Sequence, residues 1–462
     1  MCAALALNLI PFTGHAENQL AQAEPKNAAH VTLDQARVLA YQALQRGHIE
    51  FAIKIARGLL DADPNDASAH FILAAAMAKS GDATAARKFA ARAYRISDSR
   101  SDRAAAAQFA ARASLIEERP TLTQLWLRRA AVHATDEVSQ KRIAEDYQRV
   151  RQINPFSFRV GLGFRPSNNV NNGADSALQV IDGVPAVGVL SGSAQALDGN
   201  IGLFDLSLRY RLRRTDRSET SVGSQVYVRK VWLSSEAKAQ APDLENEDLG
   251  STYLDNSVTH HFALGAKGNT ASVGFGFGRA WSGGDERFDF LSLRGSRSIR
   301  LGDRTRLSLT ASVEDRASAI HEILDETLFK LGTSVQYKRE NGDSIGVSLG
   351  FTETASDFSN AASSSQSIRA TYGFGKPLGP AKVSTSLTIG QADFDDYRVG
   401  FISVPDGRKD ESVYADVTFF FSDWDYAGFA PSVRVRTGRR DSNISRFESR
   451  EFSVDFQIRS SF

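Results

Sequence analysis

One cysteine, Cys2, and two methionines account for all the sulfur in 462 residues. Beyond Cys2 the chain has no thiol for disulfides or metal ligands, which fits an oxidising compartment. No uninterrupted apolar run approaches the ~20 residues that a membrane helix needs, so a membrane-spanning reading must rest on strands. Excess charge is missing as well. Against 54 Asp and Glu stand 55 Lys and Arg, a formal net charge of +1, which argues against a general binder of nucleic acid or acidic substrates.

Enzyme chemistry finds no constellation either. Gly274, Gly276 and Gly278 in VGFGFGRAW superficially suggest a phosphate loop, but they alternate within a strand-like run and open no helix. His260 and His261 are adjacent and would point to opposite faces of a strand. Asp393, Asp395 and Asp396 fall in an expected outer loop, where solvation is the plainer reading. His70, His133 and Trp126 read as packing residues, since no other His or Cys lies at ligand spacing. No catalytic residue, metal or cofactor is therefore expected.

What is present divides the chain. Residues 1–16, with an apolar stretch before Ala16, read as a secretory signal peptide; the missing basic n-region fits a leader truncated at its start. Residues 17–30 read as a flexible linker. From 31 to 153 the chain is rich in Ala, Leu, Arg and Gln and has helical periodicity. At an offset of 34, Gly47 aligns with Gly81, Ala52 with Ala86 and Ala56 with Ala90, and Pro64 ends the first unit. That is the mark of tetratricopeptide (TPR) repeats, in which Gly turns one helix into its partner and Ala lets the pair approach closely. A third unit is degenerate, with Leu115 and Pro120 where Gly and Ala should stand. Such a domain offers a concave surface for a peptide or protein, or serves as a spacer.

At INPFSF the character changes, and residues 154–462 are rich in Gly, Ser, Thr, Val and Phe. Period-two alternation recurs in about fourteen segments of bilayer-crossing length. Phe158, Val160, Leu162 and Phe164 form one such set, and Val413, Ala415, Val417, Phe419 and Phe421 another. Connections alternate long and short, as outer-membrane barrels require. The long ones fall near 166–198, 233–255, 355–366, 391–411 and 438–447, with a modest third outer loop at SGGDERF. Phe164, Tyr210, Trp232, Trp281, Trp424 and Tyr426 suit interfacial girdles. Arg209, Arg211, Lys330, Arg434 and Arg436 occupy the opposite face as candidate lumen residues, either a mixed-charge channel wall or the solvated lining of a plugged interior. The expected fold is a helical TPR-like domain followed by a 14-stranded antiparallel transmembrane β-barrel.

The last stretch, EFSVDFQIRSSF, places Phe452, Val454, Phe456, Ile458 and Phe462 on one face. It resembles the carboxyl-terminal signal of bacterial outer-membrane barrels, which the family's insertion machinery recognises. The join at 149–173 carries a second resemblance, through Pro166, Ser167, Asn168, Asn169, Val170, Asn171, Asn172 and Gly173 after the first strand. Read for itself, this run is a tight polar outer loop. In context it looks like the start of the barrel in the surface lipoprotein assembly modulators, the Slam family. The resemblance implies a Gram-negative outer-membrane protein whose periplasmic repeats receive a client lipoprotein or secreted protein and whose barrel moves it to the cell surface. Partners would then be the client, the barrel-assembly machinery and outer-membrane lipid, with no nucleic acid. A polysaccharide exporter would instead need a one-signed lumen, and a passive porin an open pore.

Overall fold

A computed structural model describes residues 31–424, 426 and 429–460, so the expected signal peptide, the expected linker and Phe462 lie outside the described residues. The chain divides into two compact units, a helical one up to Asn154 and a strand-built one from Pro155.

The helical unit comprises α1 (Leu33–Gln45), α2 (Ile49–Ala62), α3 (Ala67–Lys79), α4 (Ala83–Ile96), α5 (Arg100–Ile116), α6 (Pro120–His133) and α7 (Glu137–Ile153). Thr32 opens α1 with a capping box: its Oγ1 accepts from Gln35 N at 3.3 Å and its N–H donates to Gln35 Oε1 at 3.0 Å. Asp66 caps α3 through Ala69 N and also accepts from Arg37 Nε at 2.8 Å, tying α1 to α3. Gly47 and Gly81 adopt φ of +84° and +85° where each first helix turns into its partner. Ala52, Ala56, Ala86 and Ala90 are fully buried, because any larger side chain there would separate the paired helices. Pro64 follows α2 and presents its carbonyl to the His70 ring at 3.1 Å. Burial, then Arg103 and Arg100, lowers the His133 pKa; its Nε2 lies 3.2 Å from Tyr94 Oη.

The third unit departs from the expected spacing. Its turn falls at Glu118, not Leu115, because α5 runs to Ile116 and is 17 residues long against 13 for α1 and α3. Glu118 adopts φ +57°, the position that Gly holds in the first two units. A side chain in that region costs about 1 kcal/mol. Glu118→Gly is therefore expected to raise the stability of the helical unit by about that amount, less the chain entropy of glycine. The midpoint of the helical transition, followed by circular dichroism on the full chain, checks this; a lower midpoint contradicts it.

Strands β1 (Phe156–Ser167), β2 (Leu178–Ile181), β3 (Val184–Val189), β4 (Gly199–Arg214) and β5 (Ser218–Leu233) open the second unit. A short helix, α8 (Ser235–Gln240), precedes β6 (Ser251–Ala263), β7 (Thr270–Ser282), β8 (Asp285–Arg300), β9 (Thr305–Ser318), β10 (Glu326–Lys338), β11 (Ser344–Ala355), β12 (Ser363–Gly373) and β13 (Lys382–Phe394). After β14 (Arg398–Val399) and β15 (Ile402–Ser403) come β16 (Arg408–Phe420), β17 (Phe429–Ser442) and β18 (Ser449–Ser460). Fourteen of these close an antiparallel barrel: β1, β4 to β13, and β16 to β18, with β18 pairing back onto β1 through Leu162↔Ile458 and Phe164↔Phe456. β2–β3 and β14–β15 are separate two-stranded hairpins in the loops.

The pleat sends alternate residues to opposite faces. Leu162, Phe275, Leu293, Leu331, Leu349, Ile389 and Phe456 all point outward and are exposed. A continuous apolar belt of this kind is unstable against water and suits lipid. Among the described residues no helix is long and apolar enough to span a membrane. The glycines of β7 serve the inside: a Cβ at Gly278 would meet Leu254 O at 1.8 Å and the Phe290 ring at 2.6 Å.

Six connections at one end run over 215–217, 264–269, 301–304, 339–343, 374–381 and 421–428; those at the other end include 168–198, 234–250 and 395–407. Two expectations need correction. The third outer loop is only the turn Gly283–Gly284, both with positive φ, because the hairpin pairing continues to Trp281↔Glu286 and Ser282↔Asp285. The second loop ends at 250, since Ser251 already pairs with Arg229.

Candidate functional site

The register assigns the inward face directly. Ser157, Arg159, Gly161, Gly163, Arg165 and Ser167 of β1 oppose Arg209, Ser207, Asp205, Leu203, Ile201 and Gly199 of β4, and the series continues around the barrel. Arg209, Arg211, Lys330, Arg434 and Arg436 all occupy inward positions, on β4, β10 and β17.

Most of these cations meet carboxylates. Asp455, 1% exposed, lies between Arg434 at 2.7 Å and Arg165 at 3.5 Å. Arg165 also approaches Glu451 at 3.7 Å, and Arg436 approaches the same carboxylate at 3.6 Å. The Arg434 contact is a two-nitrogen hydrogen bond, whereas Arg165 Nε makes only a proximity pair. This cluster spans the closing seam between β1 and β18. Elsewhere Arg294 pairs with Asp255 at 2.7 Å, Arg316 with Glu314 and Glu326, Arg369 with Asp416, and Arg209 and Arg211 share Glu219. Among the described residues Lys330 forms no ion pair.

Bulk is distributed unevenly around the wall. On β6 and β8, Tyr253 stacks on Phe290 with centroids 5.0 Å apart, while Arg316 lies over Phe288. Across the barrel, the inward positions from Ser344 to Thr354, Ser363 to Gly373 and Ser384 to Ala392 hold only Gly, Ser, Thr and Ala, apart from Arg369. A cavity of about 1110 Å³ lies along this side, past Ser296, Thr310, Gly332, Gly350, Ser367 and Ser412.

The first long loop is more than the tight polar loop that NNVNNG suggests. Asn169 closes the segment on itself, donating to Gly173 O at 2.9 Å and accepting from Gly173 N at 2.8 Å. Asn171 grips the returning chain through Ser193 O, Gln195 O and Leu197 N, and Asn168 Oδ1 accepts from Phe452 N of β18 at 3.0 Å. Asn172 adopts φ +54°, and a Cβ on Gly173 would strike Gln195 O at 2.2 Å. The result presses Val170, 1% exposed, against inward-facing Ile201, Val231 and Leu233. Arg229 donates to the Val170 and Leu249 carbonyls. Further along, Asp182–Gly183 turns the β2–β3 hairpin, whose Ile181 packs with Val404 and Ile444. Ser445 Oγ bridges it by accepting from Val180 N and donating to Leu178 O, both at 2.8 Å. One loop is thus anchored in the lumen beside β4 and β5 and tied to the loops that follow β13 and β17. The Asn-rich run marked this segment; Val170 gave no signal of its inward placement.

Other singled-out residues separate. Phe452, Phe456 and Ile458 are about half exposed on the outer face, with Val454 between them, while Ser453 and Asp455 are buried inside. Phe164, Tyr210, Trp232, Trp424 and Tyr426 are exposed; Trp281 is half-buried. Pro166 lies on the outer face of β1, and Ser167 on the inner. Among the described residues no group of three His, Cys, Asp or Glu is arranged to hold a metal.

Known proteins bear on this geometry. The family model described as surface lipoprotein assembly modifier matches residues 246–458. No curated protein matches the chain. An outer-membrane channel, DcaP of Acinetobacter baumannii, is similar at 12% identity and TM-score 0.37, over 66% of this chain and 97% of that one. An outer-membrane channel from Pseudomonas putida F1 is similar at 10% identity and TM-score 0.33, over 66% and 94%. The type III secretion translocator chaperone SycD of Yersinia enterocolitica is similar at 19% identity and TM-score 0.25, over 26% and 85%. Residues 246–458, from the end of the second long loop into the last strand, are thus similar to the surface lipoprotein assembly modifier family.

Proposed function

We propose that this protein delivers client lipoproteins or secreted proteins across the outer membrane to the cell surface. In this reading residues 31–153 lie in the periplasm and receive the client, and residues 154–462 form the conduit. The observation that carries it is the family match across most of the barrel. The lumen supports it physically: charges in its middle are largely paired, and a wall of small hydroxyl and glycine residues leaves a cavity beside them. The periplasm supplies no nucleotide, so folding or binding of the client outside would bias the movement. The outer face of β18 would present the insertion signal to the barrel-assembly machinery.

Deleting the gene and shaving intact cells with protease tests the proposal. The expected result is the loss of one or a few surface proteins with surface polysaccharide unchanged. Normal surface proteins with lost polymer would transfer the function to polysaccharide export.

A further inference from the structure

The inward charges are not balanced along the whole barrel. Near the end bearing the six short turns, the register places Arg159, Arg209, Arg211, Arg306, Lys338 and Lys382 on the inner face, where the nearby inward carboxylates are Glu219 and Asp205, the latter accepting from Ser207 Oγ and Gln225 Nε2. Arg209 and Arg211 share Glu219. Arg159, Arg306, Lys338 and Lys382 are exposed to the lumen solvent and, among the described residues, meet no carboxylate. In the two turns beside Arg306 and Lys338 the carboxylates are held elsewhere: Asp303 by Arg300, Glu340 by Arg304, and Asp343 by Tyr372 and the Gly375 N–H. A cavity of about 630 Å³ opens beside Arg306 and Lys338 and runs past Ser334, Gly346 and Ser348 toward the small-residue wall.

We propose that this ring is an anion-binding site that takes acidic segments of an extended polypeptide. Cations that are unpaired and lie within a low-dielectric wall attract a passing carboxylate more strongly than the same groups on an open surface. Their inward placement separates them from lipid headgroups. A peptide fits better than a charged polysaccharide because sugar rings bind through stacking on aromatic faces, and the small-residue wall beyond the ring has none. Tyr414, on the neighbouring strand, is already covered by Arg436 at 4.3 Å. Hydroxyl and glycine positions let an extended chain pass without a strong site of arrest.

The inference rests on the conduit reading, but its test is independent of surface delivery. Purified full-length protein in detergent is titrated with a labelled peptide of Glu, Gly and Ser, a matched Lys peptide, and polygalacturonate as competitor. The acidic peptide should bind, weakening as salt shortens the screening length. Replacing Arg159, Arg306, Lys338 and Lys382 together by Ser should weaken it about tenfold. These four leave no buried carboxylate behind, and the single changes Arg306→Ser and Lys338→Ser each weaken binding if the fourfold variant does not fold. Unchanged affinity in the variants, equal binding of the Lys peptide, or preferential displacement by polygalacturonate would overturn the proposal. Intact peptide binding with normal surface proteins after gene deletion would sink the delivery reading and leave the ring standing.

Discussion

Asp455→Ala is expected to destabilise the barrel by roughly 3 kcal/mol, the low end for breaking a buried pair, since it leaves the partly buried Arg434 without its counter-charge. Asp455 is 1% exposed and faces Arg434 and Arg165, so its loss strands Arg434 and leaves Arg165 only its 3.7 Å approach to Glu451 at the seam where the last strand meets the first. Urea unfolding in lipid vesicles, followed by tryptophan fluorescence, would register the loss. Asp455→Leu combined with Arg434→Leu should cost less than the sum of the two single changes, because the pair leaves together. The outward pair Arg279–Asp289 is the contrast: both side chains are substantially exposed, and removing Asp289 should change stability by less than about 1 kcal/mol. Equal losses at both sites would refute the seam account.

Val170→Asp is expected to release the first loop while the barrel remains folded. A carboxylate at a site 1% exposed among Leu197, Ile201, Val231 and Leu233 faces a desolvation penalty of several kcal/mol, more than a loop anchored mainly by hydrogen bonds can retain. The barrel ladder does not include Val170, so the strands keep their pairing. Limited proteolysis should then cut within 174–196, and single-channel conductance in planar bilayers should rise as the anchored segment leaves the lumen. A loop that stays protected, with conductance unchanged, would show that Val170 is not its anchor.

Much of the architecture was legible because its signals are local. Leu162 and Phe164 declare an outward face by alternation alone, and the short turns carry Gly, Asn and Asp where tight reversals need them. Gly47 and Gly81 announce the helix turns because few other residues accept φ near +85°. Glu118 carries no such signal: it takes the glycine conformation without being glycine, three residues later than the repeat spacing allows. The SGGDERF segment misled because its charged residues look like loop while Asp285 and Glu286 are hydrogen-bonded into β8.

Residue order alone determined the two-part organisation, the strand period and which side chains share the inner face, since each follows from periodicities of two or 3.6 residues. The tertiary structure decided which charges meet. Arg165 finds Asp455 only because closure sets the register of β18 on β1, and Val170 finds Ile201 and Val231 only because a long loop folds back inside. Ring closure and loop return depend on contacts between residues far apart in the chain, and no local pattern encodes them.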